Sequence, residues 1–310
     1  MNVDVVIVTY NRLEKLKKAL ACYENQTMTF RNMIVVNNHS NDGTFEYLES
    51  WKNIEAPFAK YVVNMEDNLG GSGGFYTGQK YAMALNPDWI YLADDDAYAE
   101  PDMMEQFYKF CDSHDVDKMS AICGAVYGMD GKLALSHRST YKISGKNHYE
   151  RVFYESKEYL VPFFFVDYLS YVCSYLNVGA LRKVGLVNSS YFIYYDDTEH
   201  SIRLRKYGKI ACVPSIKIYH EEGGGGTSPD LDTTWQEYYR IRNQCHMLKK
   251  HRIMLAVDKT LYMRKELRSN RFSKEKASLI RSAFFDAWIS RLGKHSKYKP
   301  GWNVKKKKYN

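Results

Sequence analysis

Residues 3–44 read VDVVIVTYNRLEKLKKALACYENQTMTFRNMIVVNNHSNDGT, and this stretch decides the fold. A short apolar run at 3–8 is ended by Thr9, Tyr10, Asn11 and Arg12. Leu13, Leu16, Leu20 and Tyr23 then recur at helical spacing. A second β-branched run at 33–36 closes on the polar cluster 37–43, and Thr44 starts a second helix through Phe45, Leu48 and Trp51. Moving outward, 61–64 reads as a third strand, and a glycine-rich loop precedes a helix over roughly 75–85. Residues 89–93 read as a fourth strand running straight into Asp94, Asp95 and Asp96. Strands alternating with helices predict an α/β fold: a mostly parallel sheet with helices on both faces. Such sheets bind ligands in the crevice at the carboxyl ends of their strands, where every polar cluster named so far falls.

Beyond residue 120 the pattern changes. Residues 121–126 predict a strand, 127–158 loops or hairpins, and the aromatic run 159–176 a packed segment. Trp235, Tyr238, Tyr239, Ile241, Met247 and Leu248 predict helices in the last third. A soft boundary is expected near residue 225, where Gly223 to Gly226 make a hinge or loop.

The chain has 310 residues, and an aromatic content of 15% excludes disorder for most of it. The most apolar stretch, 160–181, carries Pro162, Asp167, Ser170, Ser174 and Asn177 and reads as buried core rather than a membrane span. The strand-like start, without a basic leader, predicts no secretory signal. Six cysteines without framework spacing suit reduced thiols in a cytoplasm. Charge is uneven. Residues 1–200 hold 18 Lys and Arg against 27 Asp and Glu, a net of −9, whereas residues 201–310 hold 26 against 9, a net of +17. The basic rear runs from Arg264 to Lys308 beside Phe284, Phe285, Trp288 and Trp302, a pattern suited to anionic lipid headgroups or nucleic acid. A solvated helix face with a loose end is the plain alternative.

Three stretches can carry chemistry. Three adjacent carboxylates at 94–96 repel one another, so a fold retains them when they are exposed or neutralised by a cation. Carboxylate oxygens suit Mg²⁺ or Mn²⁺; an acidic turn before the helix opened by Glu100, Pro101 and Asp102 is the alternative. The loop from Asn68 through Gly70, Gly71, Ser72, Gly73 and Gly74 lets backbone approach a ligand, but it lacks the G-K-[ST] of a P-loop and follows the third strand, not the first. Asp196 and Asp197 lead into a helix over 201–207, so Asp197 or Glu199 is either a general base or a helix cap. His220 ends a strand-like run at 211–219 and is either an exposed polar residue or a metal ligand.

Taken in order, VVIVTYNR (5–12), VVNNHSNDGT (35–44), NLGGSGGFYTG (68–78), YLADDDAYAEP (91–101), FIYYDDTEHSIR (192–203) and His220 resemble the inverting GT-A glycosyltransferases of the family 2 type. NLGGSGGF followed by DDD and DD-x-E looks most like the bacterial galactofuranosyltransferase branch, which uses UDP-galactofuranose. The resemblance spans roughly 3–222 and implies a Rossmann-like GT-A catalytic domain over 1–225, with nucleotide-sugar binding in 1–100 and the acceptor side in 120–225. A helical region with a basic tail would occupy 226–310. Thr9, Tyr10, Asn11, Arg12 and Asp42 would line the uridine pocket, with Asn37 standing where the family often has Asp. Asn68, Gly70 and Gly74 would lie along the donor. Asp94 and Asp96 would hold ribose and metal, Asp95 would join the donor site, and His220 would complete the metal set. Asp197 would be the catalytic base, and Glu199 would orient it or the acceptor. A His ligand tilts the metal toward Mn²⁺ over Mg²⁺. One displacement needs one base and no covalent nucleophile.

Tyr168, Tyr171, Tyr175, Tyr194 and Tyr195 surround the second acidic motif, and one or two of them are expected to touch sugar. The expected acceptor is a glycan or glycolipid of a bacterial surface polysaccharide such as O-antigen or capsule. The basic C-terminus would then sit on the cytoplasmic leaflet of the plasma membrane as a peripheral anchor. Three rivals stand beside this reading: the same fold using dTDP-rhamnose or another sugar nucleotide, an inactive nucleotide-sugar-binding scaffold, and a nucleic-acid binder. Intact Asp94, Asp96, Asp197 and His220 argue against the scaffold. The acidic front half argues against nucleic acid as partner.

Overall fold

The computed structural model describes residues 1–144, 148–221, 231–269 and 271–305. Gly223 to Gly226 and Lys306 to Lys308 therefore lie outside the described residues. Strand β1 (Val3–Thr9) is buried at every position, as a central parallel strand covered on both faces must be. Its side chains alternate between two cores: Val3, Val5 and Ile7 face one, Val6 and Val8 the other. Helix α1 (Leu13–Glu24) lays Leu16, Ala19, Leu20 and Tyr23 on the first core. Strands β2 (Asn32–Asn37) and β3 (Ala59–Asn64) continue the parallel ladder, with α2 (Thr44–Trp51) between them.

Helix α3 spans Gly70–Leu85, so the glycines expected to form a loop are instead its first turns. Packing explains them. A Cβ on Gly74 would lie 2.4 Å from Val8 Cγ1, and one on Gly78 would lie 2.3 Å from Val6 Cγ1. Only glycine lets this helix press so closely on β1.

Strand β4 (Trp89–Asp94) pairs parallel with β1, and β5 (Ala97–Ala99) follows directly. After α4 (Met103–Ser113) comes the long strand β6 (Met119–Gly128). Hairpin strands β7 (Arg138–Ser144) and β8 (His148–Phe153) join a small separate sheet. The aromatic run supplies β9 (Phe164–Val166), β10 (Tyr168–Leu169) and β11 (Ser174–Asn177), the last inserted antiparallel between β4 and β6. Its Tyr175 stacks on Phe107 with ring centroids 3.9 Å apart. Two helices follow, α5 (Val178–Val184) and α6 (Asp196–Leu204). The latter begins five residues ahead of the expected start at 201 and includes the acidic pair. Strand β12 (Lys209–His220) runs parallel to β6, and its end pairs antiparallel with β5. The main sheet runs β3-β2-β1-β4-β11-β6-β12-β5, with β9 on β12.

The chain divides into two compact units. One comprises 1–141, 151–188 and 197–222; the other comprises 142–150, 189–196 and 223–310. The second contains β13 (Leu231–Thr234), α7 (Trp235–His251), α8 (Ile253–Arg268), α9 (Lys274–Trp288) and β14 (Asn303–Lys305). Its core gathers Phe192, Tyr238, Tyr239, Leu279, Ile280 and Phe284 around Tyr298. Trp302 packs on Tyr298, its carbonyl accepts from Trp235 N at 3.0 Å, and β14 pairs with β13. Residues 302–305 are thus part of a folded unit rather than of a loose tail. All six cysteines are free thiols. Among the described residues, no helix is long and apolar enough to cross a membrane.

Candidate active site

Four parallel strands, β3, β2, β1 and β4, end on the same edge of the sheet, and the site is built there. Asp94 is the last residue of β4, and Asp96 stands one step before β5. The β12–β5 register sets His220 opposite Ala97, which brings His220 Nε2 to 3.2 Å from Asp96 Oδ1. One ligand atom from each of Asp94, Asp96 and His220 falls within 4.8 Å of the others.

Asp95 turns the other way. It accepts from Thr9 Oγ1 at 2.8 Å, from Tyr10 N at 3.3 Å and from Arg12 Nη1 at 3.2 Å. The same Arg12 nitrogen lies 2.7 Å from Asp96 Oδ2, and Lys15 Nζ lies 3.6 Å from it. Burial pushes Asp94 up to about 7, helped by repulsion from Asp96. Asp95 is pushed up to about 6 by burial, against the pull of Arg12 and Thr9. Asp96 is also penalised by burial, but His220, Arg12 and Lys15 together hold it below its usual range. Two carboxylates and an imidazole at this spacing are a donor set that fits a hard-to-borderline divalent cation, which would also relieve the crowding around Asp94.

The neighbouring strand ends are locked by side-chain hydrogen bonds. Asn11 sits at φ +52°, accepts from Asn41 N at 2.8 Å, and its own N–H donates to Ser40 Oγ. Asp42 accepts from Leu13 N at 2.9 Å and from Thr44 Oγ1 at 2.5 Å, so it caps the starts of α1 and α2. Burial raises the Asp42 pKa, but these hydrogen bonds outweigh it and leave the carboxyl below its usual range. Asn37 donates to Asn64 Oδ1 at 2.9 Å and accepts from Ser40 N. Asn68 accepts from Gly70 N at 2.8 Å and from Asn38 Nδ2 at 3.2 Å. Thr9, Tyr10 and Arg12 thus gather at Asp95 and Asp96, and Asn11 is tied to the loop after β2 that carries Asn37 and Asp42. Gly74, by contrast, faces Val8 beneath α3.

Asp197 lies in the first turn of α6 and accepts from both the N–H and the hydroxyl of Thr198, at 2.5 and 3.0 Å. Burial raises its pKa, and the Arg151 guanidinium and Thr198 oppose this without reversing it. Glu199, expected to orient the base or the acceptor, has a structural partner of its own. It is fully buried and forked onto Arg203, with Nε and Nη2 both 2.9 Å from Oε2. Arg203 in turn donates to the carbonyls of Val184, Gly185 and Leu186, so Glu199 anchors α6 to the segment after α5.

Several residues in this corner carried no sequence signal. The His137 ring packs edge-on against His220, centroids 5.3 Å apart, and its Nδ1 lies 2.8 Å from Ser170 Oγ. Arg138 is fully buried and donates to the carbonyls of Gly124, Val172 and Cys173. Ser201 Oγ donates to the Asp197 carbonyl and accepts from Leu169 N. Tyr168, Tyr171 and Tyr175 are core residues, while Tyr194 and Tyr195 are half-buried at φ +66°.

Residues 4–185 match the family model described as glycosyl transferase family 2. The galactofuranosyltransferase GlfT1 of Mycobacterium tuberculosis is 36% identical over 99 residues, a stretch covering 32% of either chain. The dTDP-rhamnosyl transferase RfbF of Shigella flexneri is 24% identical over 262 residues, 83% of either chain. A crystal structure of GalNAc-T7 with UDP, GalNAc and Mn²⁺ superposes with a TM-score of 0.58 at 13% identity, covering 93% of this chain and 56% of that one.

Proposed function

The chain belongs to glycosyl transferase family 2, and from that premise we propose that it is a metal-dependent, inverting transferase moving galactofuranose from UDP-galactofuranose to a glycan hydroxyl. The observation carrying this reading is the convergence of Asp94, Asp96 and His220 within 4.8 Å, beside Thr9 and Arg12 at the strand ends. Those three side chains would hold Mn²⁺ or Mg²⁺. A divalent cation supplies Lewis-acid stabilisation of charge on a departing diphosphate.

This chain's own residues do the rest. Thr9, Tyr10, Asn11 and Arg12, with Asn37, Asp42, Asn68 and Gly70, would shape the nucleotide side of the pocket, and Asp95 fixes Thr9 and Arg12 in place. Asp197 would take the proton from the acceptor hydroxyl as its oxygen attacks the anomeric carbon. A carboxylate whose pKa burial raises is a stronger base than a free aspartate, which supports that role. Glu199 would act at a distance, by holding α6. One displacement at the anomeric centre inverts it.

The 36% identity to GlfT1 over 99 residues supports galactofuranose. The longer alignment with RfbF supports a second reading, a dTDP-rhamnose donor. We further propose a lipid-linked acceptor in surface polysaccharide synthesis at the inner face of the plasma membrane. Calorimetric titration with UDP-galactofuranose, UDP-galactopyranose, dTDP-rhamnose and UDP, each with Mn²⁺ and with EDTA, tests the reading. Metal-dependent preference for UDP-galactofuranose is expected. Preference for dTDP-rhamnose overturns the donor assignment, and no nucleotide binding under any condition overturns the transferase itself.

A further inference from the structure

The C-terminal unit carries a face that its own core leaves uncovered. Helix α8 buries Ala256 and turns Met263 and Leu267 partly inward, yet Ile253, Met254, Leu261 and Tyr262 stand between 48% and 61% exposed. At about 100° per residue, those four interleave around one half of the helix with exposed Arg264, Lys265 and Arg268. On α9, Arg281, Phe285 and Ile289 repeat at four-residue spacing and form a second exposed stripe. A slot of about 290 Å³ opens between the two helices, walled by Met263, Leu267, Phe284 and Trp288, with Arg264 and Arg281 also lining it.

Exposed charge on this face is almost all of one sign, and the carboxylate on the same half of α8, Asp258, is half-buried. Among the described residues of 253–291, seven exposed side chains are Arg or Lys and a single exposed one, Glu275, is acidic. Glu266 is taken by Arg271 at 3.2 Å, and Asp286 is buried on Tyr238 at 2.7 Å. A merely solvated surface has no use for four large apolar side chains on one helix face. A nucleic-acid surface relies on flat rings for stacking, and here Tyr262 and Phe285 stand among Ile253, Met254, Leu261 and Ile289, which offer none. Apolar residues interleaved with Lys and Arg are what an interfacial helix presents to a bilayer, the long cationic stems reaching from the apolar layer to the phosphates.

We propose that the α8–α9 face docks on an anionic phospholipid bilayer, the slot admitting part of one acyl chain beneath a phosphate held by Arg264 and Arg281. The face goes beyond the transferase reading and is tested without any sugar transfer. The full chain is co-sedimented with phosphatidylcholine vesicles, with and without phosphatidylglycerol, beside three variants: Met254→Asp/Leu261→Asp, Arg264→Glu/Arg281→Glu, and a chain ending at Lys305. The substituted positions are exposed, and unfolding midpoints check that each variant is folded. Binding is expected only with phosphatidylglycerol. The apolar pair should lower partitioning more than tenfold. The arginine pair should lower it by at least about 25-fold, since the roughly fivefold lost per cation near an anionic surface is compounded by two added carboxylates. The shortened chain should retain most binding, and short-chain phosphatidylglycerol should compete where inorganic phosphate does not. Unchanged binding in both double variants, or its loss on shortening alone, overturns the proposal. So does tight binding of a single-stranded oligonucleotide, lost in the arginine pair and kept in the apolar pair, with no vesicle binding. UDP affinity, read on the same proteins, reports separately on the transferase.

Discussion

Asp94, Asp95 and Asp96 at the end of β4 and Asp196 and Asp197 at the start of α6 look alike as text, but the fold treats them in opposite ways. In the two-residue turn between β4 and β5, Asp95 is thrown to Thr9 and Arg12 while Asp94 and Asp96 converge with His220. Charges there are crowded, and neighbouring cations from Arg12 and Lys15 offset them. A helix start instead offers free N–H groups. Asp197 accepts one from Thr198, and the next acid, Glu199, is drawn off to Arg203 one turn on. One cluster is arranged to gather positive charge; the other leaves a single carboxylate half-buried and basic.

The sharpest way to break this contrast is to neutralise one acid from each cluster. Asp197→Asn should lower transfer by about 10²–10⁴-fold, the usual contribution of a general base, with UDP affinity in Mn²⁺ unchanged. Asp96→Asn should lower both transfer and Mn²⁺-dependent UDP affinity. Calorimetry beside a radiolabelled-sugar transfer assay separates the two patterns. If Asp197→Asn weakened UDP binding as much as Asp96→Asn does, the two clusters would be one site with one function.

Much of the first cluster was legible because its causes are local. The β-branched runs, the helical spacing of Leu16 and Leu20, and the strand running into three aspartates all lie within a few residues of one another. The glycine run misled, because its purpose is a close approach between Gly74 and Val8, contacts 66 positions apart that no local pattern records. The meeting of Asp96 and His220 depends on a β12–β5 register 124 residues apart. His137, Arg138 and Ser170 sit in an irregular stretch where single polar residues have no period to betray them. Glu199 is the instructive case. Its partner Arg203 stands four residues on in the same helix, a spacing the sequence shows, while the acidic motif beside it points to chemistry.

The anchoring role of Glu199 can be tested on stability. Removing one member of a buried pair costs about 3–5 kcal/mol. Arg203 keeps its three carbonyl acceptors, which favours the lower end. Glu199→Gln should therefore lower unfolding free energy by roughly 3 kcal/mol in urea, while turnover below the new midpoint stays near that of the parent chain. A variant that keeps its stability and loses turnover would return Glu199 to the reaction.

The smallest expected effect concerns pH, and it separates the scaffolds of the two clusters. His200, buried beside Glu199, holds a hydrogen bond from Nε2 to the Gly185 carbonyl at 3.0 Å, and the Tyr171 hydroxyl lies 2.8 Å from Nδ1. A carbonyl only accepts, so Nε2 carries the proton and Nδ1 accepts from tyrosine; the ring is neutral. Burial, with Arg203 close by, pushes its pKa down to about 3. The unfolded chain therefore binds a proton below pH 6.5 that the folded chain refuses, and stability falls as pH drops from about 6.5 toward 3. Between pH 7 and pH 5 the loss from this one ring should be about 2 kcal/mol. Asp95, raised to about 6, works in the opposite sense over part of that range, since its folded form takes up protons first. The difference between the parent chain and His200→Gln isolates the histidine: the unfolding free energy of the variant, from urea titration, should fall less between pH 7 and pH 5 by that amount. Parallel pH profiles for the two proteins would mean that His200 can protonate in place, and that the scaffold under α6 does not depend on a neutral ring.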